Sequence, residues 1–221
     1  SRTRAVRRTV TPAAARADPS ARLLFETRLR YEAVAQDGLA HDADALTLRT
    51  RLGVETGAWR GLKALVEGEG VSALVDHYNS TTNGKSAWPI VADPEGAELN
   101  RAQISWTGDR GGVTLGRQRI VFGDARFVGD VGFRQNAQTF DALRLDLRPT
   151  STLSAAYAYV DKIHRVFGPQ SPQGAWDSRA HLLQIEAKTR LGQLSLYGQA
   201  LDLKPAPTLS SATFGVRLAG Q

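Results

Sequence analysis

Leu46-Thr47-Leu48-Arg49-Thr50-Arg51-Leu52-Gly53-Val54-Glu55 alternates apolar and polar residues over most of its length. Successive side chains of an extended strand point to opposite faces. Leu46, Leu48, Leu52 and Val54 therefore share one face, and Thr47, Arg49, Arg51 and Glu55 share the other. A tight turn follows at Thr56-Gly57-Ala58, and then another segment of the same kind. About ten such segments can be drawn, joined alternately by short and long connections, which is the pattern of an outer-membrane β-barrel.

The first strand is expected over Arg22–Ala35, with Phe25, Thr27, Leu29, Tyr31 and Ala33 opposite Glu26, Arg28, Arg30 and Glu32. The third runs from about Trp59 to Val71. A long connection, Ser72–Glu98, follows; it carries Asn79-Ser80-Thr81-Thr82-Asn83-Gly84 and two prolines, all loop signals. Further strands are expected at Leu99–Thr107, Val113–Val121, Phe140–Arg148, Leu153–Lys162, Arg179–Thr189, Gln193–Leu203 and Ser210–Leu218. The second long connection, Phe122–Thr139, holds Gly123, Gly129 and Gly132. Short turns fall at Gly108-Asp109-Arg110-Gly111-Gly112, Pro149-Thr150-Ser151 and Gly192.

Composition narrows the choice. In 221 residues no stretch reaches the ~18 consecutive apolar residues of a transmembrane helix. A barrel strand needs only ~9–11 residues, half of them apolar. With no Cys, disulfides and thiolate metal sites are excluded. There is no Met either, which suggests a mature form or a fragment. Residues 1–20 carry Arg2, Arg4, Arg7, Arg8 and Arg16 without an apolar core, and read as a disordered basic leader. Residues 21–221 read as the barrel, complete or partial. The formal net charge of +6 suits either a solvated basic surface or an anionic partner.

In lipid every backbone polar group needs an internal partner, so spanning strands close into a barrel. Tyr31, Trp59, Trp106, Tyr157, Tyr159 and Phe214 suit its aromatic girdles. The competing reading is a soluble β-sandwich or β-barrel module that binds acidic polysaccharide and turns the same apolar faces into a core. The expected class is all-β: an antiparallel up-and-down transmembrane barrel, with partner strands at 22–35 and 210–218 if it closes.

The run Val113-Thr114-Leu115-Gly116-Arg117-Gln118-Arg119-Ile120, then Gly123-Asp124-Ala125-Arg126-Phe127-Val128-Gly129, Phe133-Arg134-Gln135-Asn136 and Thr139-Phe140-Asp141-Ala142 resembles the alginate-export family of outer-membrane porins. The resemblance implies an outer-membrane channel for polysaccharide, a charged lumen and a barrel of roughly eighteen strands, within the known range. The strands drawn here supply about ten, either a small barrel with a side-chain-filled lumen or the N-terminal part of a larger one.

The polar faces carry Arg28, Arg30, Arg49, Arg51, Lys63, Arg101, Arg144 and Arg217, with Arg117 and Arg119 near the end of the fifth strand. Two readings stand. Arginine holds a carboxylate bidentately, so a row of them offers successive weak sites to acidic sugars. Alternatively they pair across strands with Glu26, Glu32, Glu55, Glu67 and Glu69 and brace the wall. Asp124 and Arg126, in a Gly-bounded loop, are candidates for a constriction, with a plain surface loop as the alternative. His41, His77, His164 and His181 lack metal-ligand spacing, and no nucleophile elbow or phosphate-binding loop is present. The expected partners are outer-membrane lipid and an anionic oligosaccharide or polysaccharide, with no nucleic acid, cofactor or metal and no enzymatic activity.

Overall fold

The computed structural model describes residues 20–220, so the leader expected at 1–20 lies, apart from Ser20, outside the described residues. Ten strands follow in order: β1 (Arg22–Val34), β2 (Ala43–Glu55), β3 (Leu62–His77), β4 (Gly96–Gly108), β5 (Gly111–Gln118), β6 (Thr139–Leu147), β7 (Leu153–His164), β8 (Ala175–Thr189), β9 (Gly192–Leu201) and β10 (Ser211–Ala219). They form one sheet in chain order, each strand antiparallel to its neighbours. Strand lengths run from 8 to 16 residues, on the scale of the ~9–11 residues that cross a bilayer.

Connections alternate in length as the sequence suggests. Residues 35–42, 78–95, 119–138, 165–174 and 202–210 lie at one end of the sheet, and the tighter turns 56–61, 109–110, 148–152 and 190–191 at the other.

The two faces are inverted relative to a soluble protein. On β1, Leu23, Phe25, Leu29 and Tyr31 are 61–68% exposed, whereas Arg49 and Arg51 on β2 and Glu67 and Glu69 on β3 are at most 5% exposed. The apolar residues of the opening stretch point outward and its arginines point into the concave side. A soluble sandwich requires the opposite. Trp59 and Trp106 stand on the outward face at the tight-turn end and Tyr31 near the long-loop end, two aromatic levels with aliphatic side chains between.

Several strand limits differ from the sequence-based expectation: β2 and β4 each begin three residues earlier and β7 ends two later, and three further cases have a local cause. β3 continues to His77 because a bulge against Leu46/Thr47 shifts its phase, so Leu74 breaks the alternation without ending the strand. β8 begins at Ala175 because its pairing with β7 skips Ser178 and Arg179 in a bulge opposite the step from Val160 to Lys162 and then resumes. β5 ends at Gln118, since Ile120 turns into an apolar cluster on the inner face.

Among the described residues no strand pairing closes a barrel. β1 pairs only with β2 and β10 only with β9, so the described residues form an open sheet with two free edges.

Candidate functional site

The concave side is filled by the segment 119–138, which crosses from one half of the wall to the other. Its first half is held by apolar packing. Ile120 and Val128 lie buried against Phe140 and Ala142 of β6, Ala158 and Val160 of β7 and Ala180 and Leu182 of β8, with Phe122 alongside. These inward apolar residues on β6–β8, three of them alanines, seat the segment, and burying its aliphatic groups favours that position.

Its second half is held by polar contacts to β1–β3. The Arg28 guanidinium donates to three successive carbonyls: Gly132 at 2.8 Å, Phe133 at 3.0 Å and Arg134 at 3.3 Å. Arg49 donates to the Gln135 carbonyl at 3.1 Å. The Gln135 side-chain amide donates to the Thr47 hydroxyl at 2.8 Å and carbonyl at 2.9 Å. Glu69 accepts from the Ala137 N–H at 3.3 Å. The Phe133 ring lies under the Arg30 guanidinium, 4.3 Å from its centroid.

The loop 78–95 completes the anchor. Tyr78 and Val91 bury against Ala43 and Ala45 of β2, and the Tyr78 hydroxyl donates to the Asp93 carbonyl at 2.9 Å. Burial, with Asp93 nearby, pushes the Tyr78 hydroxyl well above its ordinary range, so it stays a proton donor. The Asp93 carboxylate, fully buried, pairs with Arg30 through one oxygen and accepts from the Gln135 N–H at 2.8 Å through the other. Asn136 donates to the carbonyls of Pro94 and Val166, both at 3.3 Å, tying in the loop 165–174.

The arginines expected to line a path are placed as follows. Arg30 pairs with Glu32 and Asp93, Arg49 with Glu26, and Arg51 with Glu69 and, at 3.2 Å, Glu26. Arg101 and Arg119 share Glu67 at 2.6 and 3.2 Å, and Asn100, extruded in a bulge of β4, donates to the same carboxylate at 2.7 Å. Arg144 pairs with Asp146 at 2.7 Å, and Arg28 is spent on loop carbonyls. The inner wall is thus an interleaved lattice of ion pairs, as the wall-bracing reading anticipates.

Arg117 departs from the path. It stands opposite Asp141, in register with the outward pair Leu115 and Leu143, and binds that carboxylate through two bonds of 2.8 and 3.1 Å. His164 reaches Asp141 at 2.9 Å, and Lys162 pairs with Asp177 at 3.0 Å beside it. Alternation changes face at each residue, so uncertainty about the strand's end is enough to misplace Arg117.

Asp124 and Arg126 lie on the inward segment. Asp124 faces Arg217 of β10 at 3.5 Å, and Arg126 makes no ion pair among the described residues. They border a cleft of about 300 Å³ between the segment and β8–β10. Phe127 there stacks on Tyr197 of β9, with ring centroids 4.9 Å apart.

The residues that sequence reasoning missed are Asp93, Thr47 and Tyr78, whose roles depend on contacts between distant segments. Gln135 and Asn136 belonged to a quoted motif, but nothing in the sequence tells an anchor from a surface turn.

No family model and no curated protein matches the sequence. Among solved structures the chain is similar to two outer-membrane porins. OccD3 (OpdP) of Pseudomonas aeruginosa superposes with a TM-score of 0.56 and 18% identity over 81% of this chain and 40% of that one. OccAB1 of Acinetobacter baumannii gives 0.62 and 18% over 83% and 45%. The chain thus spans less than half the length of each. The alginate-export resemblance is met at the level of a porin fold and not at the level of that family. Outward apolar face, alternating connections and these superpositions agree: the chain has the fold of a bacterial outer-membrane porin wall, open at both edges.

Proposed function

We propose that this chain forms wall and constriction of an outer-membrane porin-type channel for carbohydrate, with an anionic polysaccharide such as alginate as cargo. The observation that carries the reading is the segment 119–138, buried at both ends against the inner face of a sheet whose outer face is apolar. A loop so placed narrows the lumen of a closed wall. Lipid covers the outer face, and solute passes by weak binding without chemical conversion.

Paired arginines still serve such a path. A guanidinium that already shares a carboxylate offers its remaining donors to a passing uronate, then returns to its partner, so each site holds weakly. Arg101, Arg119 and Arg134, with side chains about a quarter exposed, are placed for that exchange; Arg30 and Arg51 are too buried.

A pore needs both edges satisfied, because an unpaired strand edge in hydrocarbon leaves every second backbone group without a partner. The working channel therefore includes strands that pair with β1 and β10. The test is proteoliposome swelling with the full-length protein: faster influx of uronate trisaccharide than of a neutral trisaccharide supports the reading. Equal influx removes the anionic cargo, and no influx removes the channel.

A further inference from the structure

We propose that the cleft between the inward segment and β8–β10 is a subsite for one uronate ring. The inference deepens the channel reading and rests on it for how the sugar arrives.

The cleft differs from the rest of the inner wall in three respects. First, one of its two cations is uncommitted, the other, Arg217, facing Asp124 of the same cleft at 3.5 Å. Arg126 is exposed, and its guanidinium lies 5.6 Å from the Phe127 centroid without a carboxylate partner among the described residues. The arginines on β1–β4 are paired with acids or bound to carbonyls. Arg126 is thus the guanidinium that can take a ligand carboxylate without first breaking an ion pair.

Second, the cleft has an aromatic platform. Phe127, 53% exposed, stacks on Tyr197, so its position is fixed from the wall. Gly215, directly opposite on β10, leaves the space that the Tyr197 ring occupies: a Cβ there would lie 2.1 Å from it. The chain keeps a glycine where any other residue would displace the platform. A flat apolar ring beside polar groups is what the C–H face of a pyranose packs against.

Third, neutral amides line the same space. The Gln184 amide donates to Glu186 at 2.6 Å, which aims its nitrogen at the acid and leaves its oxygen as an acceptor. Gln199 lines the cleft beside it. Together these groups supply a bidentate donor for a carboxylate, a stacking surface for the ring and acceptors for hydroxyls. The volume of about 300 Å³ suits one sugar unit, at the lower end of the ~300–1,000 Å³ of small-molecule sites.

The experiment is titration of the full-length protein in detergent micelles with mannuronate trisaccharide, followed by calorimetry or ligand-observed NMR. Mannotriose and acetate are the comparison ligands. Binding of the uronate is expected, with mannotriose and acetate each at least about tenfold weaker, the scale of one lost charge-assisted contact. Arg126→Gln and Phe127→Ala are each expected to weaken uronate binding about tenfold at an unchanged melting temperature, while Arg110→Gln at a distant turn leaves it unchanged. Equal binding by the variants, or by mannotriose, overturns the subsite. Conductance of the same preparations separates the two claims: channels without uronate binding sink the subsite alone, and binding without channels sinks the channel reading alone.

Discussion

The carboxylate of Asp93 accepts from the backbone N–H of Gln135 at 2.8 Å, while Arg30 of β1 holds its other oxygen. One buried side chain thereby joins the wall, the loop 78–95 and the inward segment 119–138. A buried ion pair is weak evidence for stability but strong evidence for geometry, because removing one partner strands the other. Asp93→Asn is therefore expected to cost about 3–5 kcal/mol in stability, the usual range for orphaning a buried charge. Urea unfolding in micelles measures it, and a loss under about 1 kcal/mol contradicts the anchor role. Open-channel noise is expected to rise in the same variant as the segment loosens.

Arg28 clamps carbonyls 132–134 with a planar fork. Arg28→Ala frees them to bind water, so the expected stability loss is smaller, about 1–3 kcal/mol. Single-channel conductance is expected to rise. Arg28→Lys is not expected to restore it, since an ammonium cannot reproduce the fork. Wild-type conductance in Arg28→Lys contradicts the clamp.

Thr114 and Leu115 are neighbours on opposite faces of β5, each in register with a residue of β6 of matching character: Arg144 inside and Leu143 outside. Leu115→Arg is expected to destabilise the membrane-inserted protein by about 2–4 kcal/mol, and Thr114→Arg by much less. Reversal of that order, measured by unfolding from lipid vesicles, contradicts the assignment of faces.

Gly215→Ala forces Tyr197 away from its ring position. A loss of about 1–3 kcal/mol is expected from overpacking. Tyr197→Ala in the same chain is expected to return part of it, because the clash then has no ring to meet. Thermal melts of the single and double variants read this directly; additive losses exclude the coupling.

The strand order and the inward or outward sense of most side chains were legible because the alternation holds over several residue pairs in each strand. Leu46–Glu55 alone fixes both faces of β2. Legibility failed where the period broke. The bulges at Leu74, Asn100, Asp161 and Ser178-Arg179 moved strand limits, since an extra residue changes phase without changing composition. Arg117 shows the same failure by one residue: it points to the outer face with Asp141 and His164, while Arg119, two positions on, turns to Glu67 within the concavity as its strand ends. The inward segment was legible only as a Gly-bounded loop carrying Asp124 and Arg126. Its anchors, Asp93 with Gln135 and Tyr78 with Val91, join residues far apart in sequence, and no local pattern encodes such a pairing.

The account turns on whether the wall and its crossing segment conduct, and single-channel recording of the full-length protein in planar bilayers asks that most directly. The expected result is discrete channels whose current is interrupted by uronate oligomers in a concentration-dependent way, with weaker blocking in Arg126→Gln and higher conductance in Arg28→Ala. Absence of channels, or channels that uronate oligomers leave undisturbed, contradicts it.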